Sequence, residues 1–174
     1  MIMEGKGLQK TWVRILLTIL TAAVMIMIFL FSTETAEESD ETSGNITSQV
    51  IRMLYPDYED YTESKQQDVY DNVQLAVRKT AHFSEYALLG LLLRLCLESW
   101  YGKRQWLTPA SWVAGTLYAG TDEIHQLLIE GRSGEWTDVL LDSAGVLAGV
   151  LLAVMALHLI RKRKSREGTE KTCP

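Results

Sequence analysis

Long apolar runs alternate with charged segments along this chain, and the first run predicts a membrane helix. Ile15 to Phe31 contains no charged residue and only two threonines. With Trp12 and Val13 in front of it, the run reaches about 20 residues, enough to cross a hydrocarbon core of about 30 Å. A signal peptide has a shorter apolar region followed by a small-residue cleavage site, and this run lacks both features. We therefore predict an uncleaved transmembrane helix over residues 12–31.

Three later stretches are also long and apolar. They run from about Ala81 to Leu97, from about Trp106 to Ile129 and from about Val139 to Ile160. The core helices of soluble proteins seldom contain so many consecutive leucine, valine and alanine residues. The predicted fold class is therefore all-α, a polytopic membrane bundle with four transmembrane helices.

The charges between the apolar runs predict the orientation of the bundle. Basic residues dominate the N-terminus, the segment between the second and third runs, and the tail after Ile160, which begins RKRKSR. Residues 32–80 contain eleven acidic and four basic side chains, and the segment between the third and fourth runs is also acidic. Because positive segments stay in the cytoplasm, both termini are predicted to be cytoplasmic (N-in/C-in) and both acidic segments external.

These features divide the chain into five predicted segments. They are a cytoplasmic N-terminus (1–11), helix 1 (12–31), an acidic external loop (32–80), a core of helices 2–4 (81–155, with helix 4 ending near residue 160) and a basic cytoplasmic tail (161–174). Within the external loop, residues 32–48 are polar and acidic, which predicts a flexible linker. Residues 62–80 place valine and alanine at helical spacing, which predicts an amphipathic surface helix that runs into the second span.

Composition narrows the classes of partner and cofactor. The chain has 174 residues, a net charge of −5 and a pI of about 5.2. Nucleic acid is therefore not an expected partner, because binding it requires clustered basic side chains. The two cysteines, Cys96 and Cys173, are too few for a disulfide framework or a cysteine-rich zinc site.

Ionisable residues inside the apolar runs are the strongest functional signal, because each costs about 2.5–3.5 kcal/mol at a bilayer centre. They group on one face of each of three predicted helices, at the end of each helix that the topology places outside. The polar residues at these ends are Lys79, His82, Glu85 and Tyr86 at the start of the second run, Tyr118, Asp122, Glu123, His125 and Gln126 at the end of the third, Arg132 in the following loop, and Asp138 and Asp142 at the start of the fourth. We expect these side chains to meet in a polar cup that is open to the outside.

Three interpretations of the cup stay open. Its polar groups can act as adhesive between helices. Two histidines and two carboxylates, from His82, Glu85, Asp122 and His125, are suitable ligands for a divalent metal ion, although no cofactor is firmly predicted. The same four residues are candidate catalytic residues for acid–base chemistry, with the histidines exchanging protons. The candidate substrate-binding residues are Lys79, Tyr86, Glu123, Gln126, Arg132, Asp138 and Asp142.

Other residues in the runs have simpler structural interpretations. Arg94 lies near the cytoplasmic end of the second run, so we expect it to extend to the interface as an anchor. Gly145 and Gly149 have the spacing of close helix packing. Beyond Arg94, Ser111 and Thr116, the inner half of the predicted bundle contains few polar groups, which disfavours a proton-coupled carrier.

The order of these motifs resembles the VanZ-like family of bacterial membrane proteins. The resemblance rests on Lys79-x-x-His82-Phe83-x-Glu85-Tyr86-x-x-x-Gly90, Asp122-Glu123-x-His125-Gln126, Gly131-Arg132, and Asp138 with Gly145 and Gly149. It covers about residues 75–155 together with the first span. Two positions depart from the family pattern. Glu130 replaces a frequent proline, and Asp142 replaces a frequent asparagine.

The resemblance implies a multi-pass protein of the bacterial plasma membrane, from a family whose founding member is associated with teicoplanin resistance. We therefore expect binding of, or action on, an anionic lipid-linked or cell-envelope molecule at the outer leaflet. Under this hypothesis Arg132 and Lys79 hold the anion. Whether a bond is broken stays undecided, so enzymatic activity is an open question. The main alternative is a non-catalytic membrane module that modulates an envelope enzyme.

Overall fold

The computed structural model describes residues 10–129 and 135–170, and all of the regular structure within these ranges is helical. Its elements are α1 (Thr11–Ser32), α2 (Ala36–Leu54), a short 3-10 helix (Tyr58–Asp60), α3 (Glu63–Tyr101), α4 (Leu107–Gln126) and α5 (Trp136–Glu170). The all-α prediction is confirmed.

Two of the helices are long and apolar enough to cross a membrane, over Thr11–Ser32 and Trp136–Glu167. Large apolar side chains on both remain exposed to the surroundings, among them Ile19, Ile26 and Leu30 of α1 and Leu151 of α5. An apolar surface of this extent is typical of contact with lipid. The second half of α3 and α4 do not meet the same test of length and hydropathy, so four spans and the N-in/C-in orientation stay predictions.

Helix α2 corrects the expectation of a flexible linker over residues 32–48. Thr35 caps the helix by accepting a hydrogen bond from the backbone N–H of Glu38, whose carboxylate accepts one from the backbone N–H of Thr35 in return. This reciprocal capping box satisfies two backbone donors at the helix start. Thr47 and Ile51 are then buried as α2 packs along α3. The acidic composition had suggested disorder, but the cap and one buried face are sufficient for an ordered helix.

Helix α3 confirms the helix predicted over residues 62–80, and it continues without interruption through the second apolar run. It is 39 residues long and ends at Gly102, whose φ of 70° lies in the left-handed region that glycine adopts without strain. Its contacts with α1, α2, α4 and α5 make it the central element of the fold.

The core lies where α3, α4 and α5 meet, and α1 covers one side of it. Its buried members are Ile28, Tyr86, Leu89, Ala119, Val146 and Val150. The most extensive contact is between α3 and α5, followed by that between α4 and α5. The first half of α5 is therefore enclosed between two helices, and this brings its polar side chains next to theirs.

Glycines allow α3 and α5 to approach closely. A Cβ atom on Gly149 would overlap the carbonyl oxygen of Ala87, and one on Gly145 would lie 2.5 Å from the carbonyl oxygen of Phe83. Backbone therefore packs directly on backbone at this crossing. The close packing predicted from Gly145 and Gly149 is confirmed.

Candidate functional site

The polar ends of three helices converge at one end of the bundle. Lys79 of α3 lies 2.5 Å from Asp138 of α5, measured from Nζ to Oδ1. One turn or two further along, the rings of Tyr86 in α3 and Tyr118 in α4 have centroids 6.4 Å apart. The start of the second apolar run, the end of the third and the start of the fourth therefore lie together, as the sequence predicted.

Beneath the Lys79–Asp138 pair is a group that we call the carboxylate cluster, formed by Glu85, Tyr86, Asp122, Gln126 and Asp142. Tyr86, Asp122, Gln126 and Asp142 are buried, and Asp142 is only 2 % exposed. Nε2 of Gln126 donates a hydrogen bond of 3.3 Å to Oδ2 of Asp122. Glu85 and Asp142 both interact electrostatically with Asp122. Two buried carboxyl groups, from α4 and α5, and a half-buried one from α3 therefore lie within electrostatic range of one another.

Two polar atoms of the carboxylate cluster, Oδ1 of Asp122 and Oδ1 of Asp142, have no hydrogen bond of good geometry within the part of the chain that the structure describes. The hydroxyl of Tyr86 interacts with the carboxyl group of Asp122. A buried polar atom without a partner costs about 1–3 kcal/mol. Carboxylates that are close together also repel each other when ionised. The cluster is therefore suited to a group that brings hydrogen-bond donors or positive charge.

Lys79 and Asp138 form a charged pair at the rim of this cluster, and each side chain is a little over one-third exposed. The hydrogen bond to Asp138 raises the pKa of the Lys79 ammonium above its ordinary value, so the lysine is charged at neutral pH. Asp138 therefore neutralises the charge of Lys79, the residue that we predicted from the sequence to bind an anion. Lys79 can therefore bind an anion only by sharing or releasing this partner.

Glu123 is buried beside the cluster and has a contact that orders the chain. Its Oε1 accepts a hydrogen bond of 2.6 Å from the backbone N–H of Glu135. This bond ties the end of α4 to the residue that precedes α5. Glu123 therefore holds in register the two helices that carry Asp122 and Asp142.

The two histidines lie on different parts of the site. His82 is half-buried on α3, one turn before Glu85 and Tyr86. The ring of His125 stacks on Phe29 of α1, with centroids 4.9 Å apart and an angle of 24° between the planes. His125 is therefore directed toward α1, and sequence spacing alone had not indicated this contact.

Arg132, the other predicted anion-binding residue, lies outside the described residues.

The metal hypothesis is not supported by the geometry. Among residues 10–129 and 135–170, no group of three or more histidine, cysteine, aspartate or glutamate side chains is placed to hold a metal ion.

At the opposite end of the bundle, the structure contains a buried charged group that the sequence analysis missed. Arg94 and Glu98 form an ion pair of 2.7 Å, with side chains 6 % and 4 % exposed, and Arg161 of α5 pairs with the same carboxylate. The interpretation of Arg94 as an interfacial anchor is therefore wrong. Opposite charges at positions i and i+4 of an apolar helix were the signal that could have identified the pair.

Polar side chains also join α4 to α5 between the two ends of the bundle. The hydroxyl of Ser143, which follows Asp142 in α5, lies 2.8 Å from that of Thr116 in α4. The indole N–H of Trp112 donates to the same hydroxyl at 3.1 Å. These hydrogen bonds join α4 to α5 and stabilise the association of the two helices.

A search of curated proteins and a search of solved structures found no protein that matches this chain. The model of the VanZ/LLP1 family matches residues 17–159, a range that begins in α1, ends in α5 and includes every described residue of the carboxylate cluster. Because this match covers most of the sequence, the chain belongs to the VanZ/LLP1 family.

Proposed function

We propose that this VanZ/LLP1 protein is a multi-pass protein of the bacterial plasma membrane that binds or acts on an anionic, lipid-linked or other cell-envelope molecule at the outer leaflet. The observation that supports the proposal is the carboxylate cluster, where buried oxygens of Asp122 and Asp142 have no hydrogen-bond partner among residues 10–129 and 135–170. Polar groups that are expensive to place in a membrane are functional candidates by default.

The parts of the proposed site have different tasks. Asp122 and Asp142 accept hydrogen bonds from hydroxyl or amino groups of the bound molecule, and the hydroxyl of Tyr86 donates or accepts beside them. The anionic part of the molecule binds at the rim, where Lys79 exchanges Asp138 for the ligand and Arg132 of the following loop adds a second cation. His82 and His125 are the groups that exchange protons near neutral pH if a reaction follows binding.

Under this proposal the protein contributes to glycopeptide tolerance by its action on envelope molecules. The test compares teicoplanin tolerance in cells that express the parent, Asp122→Asn, Asp142→Asn or the control Asp68→Asn. Asp68 is an exposed residue of α3 far along the helix from the cluster, so its variant loses the same charge without altering the site. The same proteins are assayed for binding of a labelled lipid-linked cell-wall precursor.

We expect both cluster variants to lose tolerance and to bind the precursor about tenfold more weakly, because each replaces a carboxyl oxygen that can accept a hydrogen bond by an amide NH2 group that can only donate. The control should match the parent. If all three variants reach parental abundance in the membrane and behave like the parent in both assays, the proposed site is wrong.

A second candidate function is modulation of an envelope enzyme without catalysis. The observation that favours it is α2, an ordered acidic helix in a segment expected to be a linker, with Met53 and Leu54 largely exposed at its end. Deletion of residues 33–60 should then abolish the cellular effect, whereas His82→Ala and His125→Ala should preserve it. If the deletion preserves the cellular effect and the histidine variants abolish it, the function depends on the carboxylate cluster and its surroundings.

A further inference from the structure

A second charged site lies at the end of the bundle opposite the carboxylate cluster. There the end of α3, the start of α4 and the far part of α5 surround a cavity of about 610 Å³. Six of its lining side chains are basic, and none is acidic. They are Arg94, Lys103, Arg104, Arg161, Lys162 and Arg166. We call this feature the basic cavity.

The floor of the basic cavity is held in place by buried contacts. Glu98 lies behind it, pairs with Arg94 at 2.7 Å and also pairs with Arg161. Nε of Arg94 lies 3.4 Å from the hydroxyl oxygen of Thr108, a residue of α4 that also lines the cavity. The buried carboxylate of Glu98 thus orients Arg94 of α3 and Arg161 of α5. These two arginines of the cavity are held in position by the fold.

The charge of the basic cavity is mostly uncompensated. Glu98 neutralises one of the six positive charges. Within the part of the chain that the structure describes, no ion pair is formed by Lys103, Arg104, Lys162 or Arg166. Like charges that converge on one space repel each other, and a bound anion removes this repulsion.

The chemistry of the lining favours phosphate over a simple anion. Arginine offers paired N–H donors that match phosphate oxygens, and lysine adds a point charge. Gln105 and Thr108 supply neutral hydrogen-bonding groups in the same wall. Val154 also lines the cavity, on the stretch of α5 that is apolar enough to lie in a membrane, so the cavity borders the lipid phase.

We propose that the basic cavity binds a phosphate-bearing anion, and that its source is the head group of an anionic phospholipid in the leaflet at this end of the bundle. Basic pockets between membrane helices recognise such head groups. The charge distribution predicts this leaflet to be the cytoplasmic one. The site is separate from the carboxylate cluster, so it does not depend on the function proposed above.

The test compares two double variants of the full-length protein. Lys162→Glu/Arg166→Glu changes the lining of the basic cavity. The control, Arg163→Glu/Lys164→Glu, reverses two charges in the same turns of α5, but neither residue lines the cavity. Arg163 is 85 % exposed and pairs only at the surface with Glu167. Both variants have the same net charge, so general attraction to an anionic membrane is equal.

The measurement is binding of phosphatidylglycerol by the purified proteins, detected as retained lipid by native mass spectrometry and as affinity in lipid titration. A parallel titration uses inorganic phosphate. We expect the cavity variant to bind phosphatidylglycerol about tenfold more weakly than the parent, because its two new carboxylates face the bound phosphate and repel it. The control should stay within about twofold, because its reversed charges lie outside the cavity.

Three outcomes would overturn the proposal. Equal losses in both variants would show attraction by the basic tail as a whole. Parental affinity in both would show that the cavity does not bind the lipid. If inorganic phosphate competes with phosphatidylglycerol at similar concentrations, a soluble phosphate is the ligand and the assignment to a lipid head group is wrong. Equal elution volumes and helical circular dichroism verify that both variants are folded.

Discussion

At the scale of single residues, glycine decides how closely the two main helices pack. Gly149 allows the backbone of α5 to contact the backbone of α3 at Ala87 and Leu91, where any side chain would collide. Close contact of this kind replaces the hydrophobic effect as the driving force between helices in lipid. It also sets the rotation of α5, and so the direction in which Asp142 points.

We predict that Gly149→Ala destabilises the protein by about 1–3 kcal/mol, the usual cost of overpacking a tight contact. The matched control is Gly120→Ala in α4, where a Cβ atom would meet nothing within 4 Å. Alanine favours a helix interior over glycine by about 0.5–1 kcal/mol, so the control should be neutral or stabilising. Thermal unfolding in detergent measures both, and equal melting temperatures would contradict the prediction.

The second residue-scale feature is the carboxylate of Glu98, which is shared by two arginines. We predict that Glu98→Gln lowers stability by about 3–5 kcal/mol, because removal of one partner leaves buried positive charge uncompensated. Glu167→Gln is the control, since its pair with Arg163 is exposed and such pairs contribute about 0–1 kcal/mol. Chemical denaturation of the two variants provides the comparison, and similar midpoints would argue against a buried pair.

At the scale of elements, α2 shows how a capping box formed by two polar residues, Thr35 and Glu38, can start an ordered helix in an acidic segment. The backbone N–H of Thr35 and, to a smaller extent, its side-chain hydroxyl donate hydrogen bonds to the carboxylate of Glu38. These bonds lower the pKa of the Glu38 carboxyl below its ordinary value of 4.5. A group with a lowered pKa in the folded state stabilises that state above its unfolded pKa. This contribution is therefore present above pH 4.5 and is lost as the pH falls through the lowered pKa.

We predict that Thr35→Ala returns the pKa of Glu38 toward 4.5 and increases hydrogen exchange in the first turns of α2. Loss of an N-cap hydroxyl costs a helix about 1 kcal/mol. Thr42→Ala is the control, because Thr42 is exposed and its hydroxyl donates only to the helix backbone at Glu38. Carboxyl NMR titration and amide exchange test both changes. An unchanged Glu38 titration in the Thr35 variant would mean that the cap is absent.

At the scale of the whole molecule, charges of opposite sign are separated along the bundle. The carboxylate cluster lies at the end where α4 finishes and α5 begins, and the basic cavity lies at the end where α3 finishes and α4 begins. Such a polarity follows from the positive-inside rule if the two ends face different compartments. The predicted orientation places the cluster outside and the cavity inside.

We predict that a membrane-impermeant maleimide labels a cysteine at Glu59 in intact cells, whereas a cysteine at Lys164 is labelled only after the membrane is permeabilised. Glu59 lies in the 3-10 helix of the acidic segment that we predict to be external, and Lys164 lies in the basic tail that we predict to be cytoplasmic. The parent for both is a variant with Cys96 and Cys173 changed to serine. Labelling of both positions from the same side would exclude the four-span N-in/C-in topology.

The sequence by itself determined the helical class, the apolar length of the first and last helices and the family. Apolar length and motif order are properties of the linear chain, so they can be read without coordinates. The order of the runs also predicted that polar residues of α3, α4 and α5 meet at one end, because alternate helices reverse direction in a bundle with short connections. The spacing of Thr35 and Glu38 is typical of a capping box and indicates a helix start, whereas the acidic composition of residues 32–48 by itself predicts a linker.

Only the tertiary structure decided which side chains are partners. The rotation of each helix about its axis depends on contacts such as that of Gly149 with α3, and these join residues far apart in the sequence. That rotation directs His125 to Phe29 and pairs Lys79 with Asp138. It also leaves one oxygen each of Asp122 and Asp142 without a hydrogen-bond partner among the residues that the structure describes. Helical spacing assigns a residue to a face, but the neighbouring helix that this face meets is determined by packing.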